Sequence, residues 1–157
     1  TLLLYDVGAL KQPLLYLSLF LKRHRREYYQ LLDVVRHDGD WEAWLDFFLD
    51  GVRTTAEGAV ETARTLLDLF ATDQQRLANL GRAAHSALRI HEEMKCRPIL
   101  SIRDAAKRSG LTFPTASKAI QLLLELGVAR EVTGKRRGRL FAYDAYLAKL
   151  SEGTEPE

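Results

Sequence analysis

The feature that most constrains this chain is its punctuation between Ser101 and Tyr143. Ser101-Ile102-Arg103-Asp104-Ala105-Ala106-Lys107-Arg108-Ser109-Gly110 reads as a short helix, with Ser101 as its N-cap and Gly110 as its stop. Leu111 to Gly127 reads as a second helix: Thr112 is placed to cap it, Pro114 falls in the tolerated first turn, and Gly127 closes it. Val128 to Val132 and Arg139 to Tyr143 read as strands joined by a basic turn over Thr133 to Gly138. Helix, tight turn, helix and hairpin, in that order, make a winged helix-turn-helix. The expected fold class is mainly α with one small β-hairpin.

Charge singles out the same segment. Residues 97 to 150 carry eleven Lys or Arg against four Asp or Glu. Residues 1 to 52 carry six against eight, residues 53 to 96 balance at six each, and the last seven residues hold three Glu and no base. A basic surplus confined to one module points to nucleic acid, or another acidic partner, for that module alone. In the second helix Ala116, Ile120, Leu123 and Leu124 share an inward side, which leaves Thr115, Ser117, Lys118 and Gln121 outward to reach base edges or phosphates. The hairpin tip adds Lys135, Arg136, Arg137 and Arg139, suited to backbone phosphates. The plainer alternative is a winged helix used for protein contact, with a solvated basic tip.

Ahead of this module the pattern is helical throughout. From Thr54 to Met94 apolar residues recur at helical spacing; a single helix of that length would reach about 60 Å, and Ala71-Thr72-Asp73 is the expected break, with Asp73 capping the second part. Earlier, Lys22 to Val35 reads as a helix, His37-Asp38-Gly39-Asp40 as a turn with Asp40 as the next cap, and Trp41, Trp44, Leu45, Phe48, Leu49 and Val52 as a stripe that needs burial. The zones are 1–52, a helical layer; 53–96, a helical connector that could also carry homodimerisation; 97–150, the winged helix; and 151–157, an acidic tail.

Several chemistries are excluded. One cysteine, Cys96, forms no internal disulfide and is expected to be a packed, inert thiol; His24, His37, His85 and His91 have no metal-ligand spacing. No Ser-His-Asp order, carboxylate pair or phosphate loop stands out. The longest apolar run, Leu14 to Leu21, is short of the roughly 20 residues of a membrane span, so no membrane partner is expected; the single cysteine is compatible with a reducing cytoplasm, the expected compartment. Lys22-Arg23-His24-Arg25-Arg26 splays around a helix rather than forming one phosphate-binding face. Tyr28 and Tyr29 lie about 100° apart on that helix, so one can pack inward while the other flanks a surface pocket.

Gln12-Pro13-Leu14-Leu15-Tyr16-Leu17-Ser18, then Arg26-Glu27-Tyr28-Tyr29, then Asp38-Gly39-Asp40-Trp41-Glu42-Ala43-Trp44-Leu45-Asp46-Phe47-Phe48-Leu49, resemble the C-terminal half of bacterial Fic-domain proteins. Larger members of that family continue through a helical connector into a winged helix, so the resemblance extends to about residue 150. It implies residues 1–52 are the C-terminal portion of a Fic domain. The family signature H-P-F-x-x-G-N-G-R is absent here, and the capless start Thr1-Leu2-Leu3-Leu4 fits a chain cut inside the helix that follows the signature. The implied activity is transfer of AMP from ATP, with Mg²⁺, to a hydroxyl of a target protein. No catalytic or metal-binding residue of that chemistry lies in this chain, which is expected to be inactive and to bind neither group by itself. The resemblance places Tyr28, Tyr29 and Arg36 around the adenosine. The alternative is a DNA-binding transcriptional regulator with a Fic-like scaffold.

Overall fold

The computed structural model describes residues 6, 8 and 17–152. The expected helix at Thr1–Leu4, the block Gln12–Tyr16 and the tail beyond Glu152 lie outside the described residues. The described chain is mainly helical with one small antiparallel sheet, and it divides into two compact units between Ala63 and Arg64.

The first unit is helical. Helices α1 (Leu17–Arg23) and α2 (Arg25–Asp38) are separated at His24, where the sequence pattern predicts an unbroken helix from Lys22. His24 has φ −103°, and its ring stacks on Phe20 at 4.4 Å. Gly39 ends α2 in the left-handed region (φ 69°), a conformation that favours glycine. Helix α3 (Trp41–Ala78) then starts as expected: Asp40 Oδ1 accepts from the backbone N–H of Glu42 (3.1 Å) and Ala43 (3.3 Å). Among the described residues the buried side chains of this unit are Phe20 and Phe47, with ring centroids 5.3 Å apart. Gly51 admits the Phe20 ring: a Cβ there would lie 2.6 Å from it. The stripe expected to be buried is not. Trp41 is 61% exposed, Leu49 59%, and Leu45 is also exposed, while Trp44 and Phe48 stack on each other half-buried.

The expected break at Ala71–Asp73 does not occur, because α3 runs unbroken to Ala78. Asp73 does not cap a helix; it is buried, accepting from Tyr143 Oη (2.7 Å) and, one turn along the same helix, Arg76 Nη1 (2.8 Å), so side-chain donors use the oxygens that would have capped. The chain turns instead at residues 79–83, through a 3₁₀ turn at Gly81–Ala83.

The second unit gathers the C-terminal turns of α3, then α4 (Ala84–Cys96), β1 (Ile99–Ser101), α5 (Ile102–Ser109), α6 (Phe113–Glu125), β2 (Arg130–Glu131), β3 (Leu140–Ala142) and α7 (Asp144–Ser151). The sheet order is β1-β3-β2, with Leu100 opposite Phe141 and Glu131 opposite Phe141. Both expected hairpin strands are present but shorter than predicted. β1 and α7 were not legible in the pattern: β1 is three residues long and becomes a strand only by pairing with β3. Helix, strand, helix, turn, helix and two-stranded wing form the winged helix-turn-helix arrangement, with α4, which the sequence assigns to the connector, as its first helix. Ser101 Oγ caps α5 by accepting from Asp104 N (3.1 Å), and Gly110 (φ 65°) ends it, as expected. Fully buried Leu77, Ile90, Met94, Leu123, Val128 and Phe141 centre the core.

Candidate nucleic-acid interface

Helix α6 buries Ala116, Ala119, Ile120 and Leu123 and so fixes which way its other face points. Lys118 and Gln121 are exposed on that face, as predicted. Thr115 and Ser117 are only half-buried, and residues two apart sit about 200° round a helix, so they occupy opposite flanks. The structure therefore does not bring all four onto one contact face. Thr112 takes the N-cap position without making the cap bond: its hydroxyl meets Thr115 Oγ1 at 2.8 Å instead. Gln121 Nε2 donates to Glu125 Oε1 (3.2 Å), which places a carboxylate at the far end of the outward face. Phe113, the first residue of α6, is 55% exposed and was not singled out from sequence; an aromatic immediately before a first-turn proline was the available signal.

The wing supplies charge. Lys135, Arg136, Arg137 and Arg139 are all exposed, between glycines of positive φ at Gly134 (62°) and Gly138 (66°). The Arg139 guanidinium lies 5.0 Å from the centre of the Phe141 ring. Some bases elsewhere in the unit are paired, among them Arg108 with Glu93 (2.8 Å), Arg130 with Asp144 (2.6 Å) and Lys149 with Glu152 (2.7 Å). Among the described residues Lys118, Lys135, Arg136 and Arg137 take part in no ion pair, so their charge is not neutralised within the chain.

Behind this surface lies a polar chain that sequence reasoning missed. Tyr143 Oη donates to Asp73 Oδ2 (2.7 Å), and His91 Nε2 lies 3.2 Å from the Tyr143 hydroxyl oxygen. Since the phenol proton goes to Asp73, the Tyr143 oxygen accepts from His91, which places the imidazole proton on Nε2 and leaves the buried Nδ1 without a partner. Burial, then the nearby Lys95 ammonium, push His91 below the ordinary histidine value, against the opposing pull of Asp73 and Glu92. Burial and the bond to Asp73 raise the Tyr143 phenol above its ordinary value. Arg76 bonds both Asp73 and the Leu126 carbonyl just past α6. Nothing local signals this chain, because its members are 52 and 70 residues apart.

The residues placed around adenosine are less organised. Tyr28 is half-buried, Tyr29 is exposed with Arg25 over its ring (5.7 Å), and the two rings meet edge-on at 5.2 Å. Arg36 is exposed, seven residues from Tyr29 and hence on the same helical face. A cleft of about 380 Å³ in this unit is lined by Phe20, His24, Glu27, Leu31, Phe47 and the carboxylates of Asp46 and Asp50, but by neither tyrosine nor Arg36. Its acidic rim is ill-suited to a triphosphate. Among the described residues no group of His, Cys, Asp and Glu could hold a metal ion, and no helix is long and apolar enough to cross a membrane. Cys96, expected to be packed, is exposed at the end of α4. No protein-family model matches the chain.

Proposed function

We propose that the winged helix of the second unit binds double-stranded DNA, with α6 directed at base edges and the wing at backbone phosphates. The observation that carries this reading is the set of exposed bases on α6 and the wing, Lys118 and the cluster at 135–137, none of which pairs with an acid among the described residues. Lys118 and Gln121 are the α6 residues best placed for contact; Arg139 flanks the wing. On this reading the protein is a transcriptional regulator working in the cytoplasm. The test is binding of labelled duplex DNA across a salt series. Changing Lys118, Lys135, Arg136 and Arg137 to Ala should weaken binding and flatten the log affinity against log salt plot by roughly 0.9 per lost phosphate contact. An unchanged slope, or no binding by the parent chain at low salt, overturns it.

A second reading, AMP transfer from ATP and Mg²⁺ to a protein hydroxyl by a Fic-type protein, rests on the three sequence blocks and on the shared face of Tyr29 and Arg36. Its catalytic groups would come from sequence not present here, with Tyr28, Tyr29 and Arg36 serving the nucleoside. On this reading α-labelled ATP added to this chain alone leaves no label on any protein. Strong labelling by this chain alone would show that its catalytic groups have been placed wrongly.

A further inference from the structure

We infer that Glu131, an acid at the root of the basic wing, is a positioning residue that holds the wing in its DNA-binding shape. This rests on the DNA-binding reading above. The wing is weakly built by its backbone: β2 and β3 share two register pairs, and the Val132 N–H to Leu140 carbonyl bond (3.0 Å) extends them by one. A two-stranded ribbon of that length has little stability of its own. Beyond it the chain crosses residues 133 to 139 with four mutually repelling bases and two glycines at positive φ.

The Glu131 carboxylate closes that loop. Its Oε1 accepts from the backbone N–H of Thr133 (2.9 Å), from the Thr133 hydroxyl and from the N–H of Gly134 (3.0 Å), while Oε2 accepts from Gly134 (3.1 Å). The Thr133 hydroxyl in turn accepts from Leu140 N–H (3.3 Å), so one side chain ties the outgoing limb of the wing to the returning one. These bonds, the Thr133 hydroxyl first, hold the carboxyl below the usual carboxylate range, and the Arg139 guanidinium on the returning limb adds to that. A loop ordered in advance meets phosphates without losing that freedom on binding.

The inference gives a sign opposite to plain electrostatics. If Glu131 were only a negative charge near DNA, Glu131→Gln and Glu131→Ala would both tighten binding, and equally. A positioning role predicts affinity in the order parent, then Glu131→Gln, which keeps the Oε1 acceptor, then Glu131→Ala, roughly fivefold or more weaker than the parent. Thr133→Val, which leaves charge unchanged, should weaken binding in the same direction. Binding of a labelled random-sequence duplex by the whole chain would be measured for each, with a thermal melt confirming that the variants fold. The decisive readout is the cycle with Lys135, Arg136 and Arg137 all changed to Ala: in that background Glu131→Ala should no longer weaken binding. Binding as tight as the parent's by both Glu131 variants overturns the inference and leaves the DNA reading standing. So does weakening that persists without the wing bases, which would mark a general structural role. A parent chain that binds no DNA overturns the reading and the inference together.

Discussion

The two units use similar helices to different ends. In the second, α4, α5 and α6 are held around a core of fully buried Ile90, Met94, Leu123 and Phe141, closed by a three-stranded sheet. In the first, α1, α2 and the start of α3 bury Phe20 and Phe47 and leave Trp41, Leu45 and Leu49 in the open. Both sets carry ample apolar residues at helical spacing. The difference is direction: a strand pairing and two tight glycine turns bring the second unit's elements in from several sides. Periodicity makes a helix, but only a partner on the right side makes a core.

The same deletion made in each unit should separate them most widely. Ile90→Ala empties a fully buried site and should cost about 3 kcal/mol, whereas Leu49→Ala, at a side chain already largely in water, should stay within about 0.5 kcal/mol. Hydrogen exchange in α4 and α6 against that in α2 reads the contrast; equal effects would remove it. Both tryptophans, Trp41 and Trp44, lie in the first unit, so their emission reports on that unit. Next in size, Tyr143→Phe removes a hydroxyl bonded to Asp73 and His91 and leaves a buried carboxylate oxygen short of a donor, at about 2 kcal/mol in a thermal or urea melt.

Two glycines seven residues apart on α3 sharpen the picture from the other side. Gly51→Ala would drive a Cβ to 2.6 Å from the Phe20 ring and should destabilise the first unit by about 1–3 kcal/mol. Gly58→Ala meets nothing within 4 Å and should stabilise the helix by up to about 1 kcal/mol. Opposite shifts in the tryptophan-monitored melt are expected; shifts of one sign would deny Phe20 its place in that core. The smallest effect is one of pH. His91 has its folded-state value lowered below the ordinary 6.5, so the unfolded chain takes up a proton first. Stability of the second unit should be full above that ordinary value and decline as pH falls from it toward the folded-state value. His91→Gln, which retains a donor toward Tyr143, should flatten that decline.

The winged helix was legible because its signals are local. Ser101 caps, Gly110 stops, Pro114 sits in the first turn, and the basic tip falls between two glycines. What was not legible depends on residues far apart. β1 needs β3 to exist, and Asp73, a plausible helix start by type, spends its oxygens on Arg76 one turn away and on Tyr143 seventy positions away. The stripe at Trp41, Leu45 and Leu49 has the spacing of a buried face, yet Phe47 and Gly51 turn inward instead, because spacing does not say on which side Phe20 will stand. At the candidate interface the residue types were readable, and so was the opposition of Thr115 and Ser117, since two positions at 100° each already part them by about 200°.

Cys96 has one practical consequence. As the chain's sole thiol, and exposed at the end of α4, it gives a single chemical address on the winged helix, so a maleimide dye would enter at one known place and report on that unit alone. For the same reason its air oxidation can join only two separate molecules, and a covalent pair that vanishes with reductant is then chemistry at this sulfur rather than assembly.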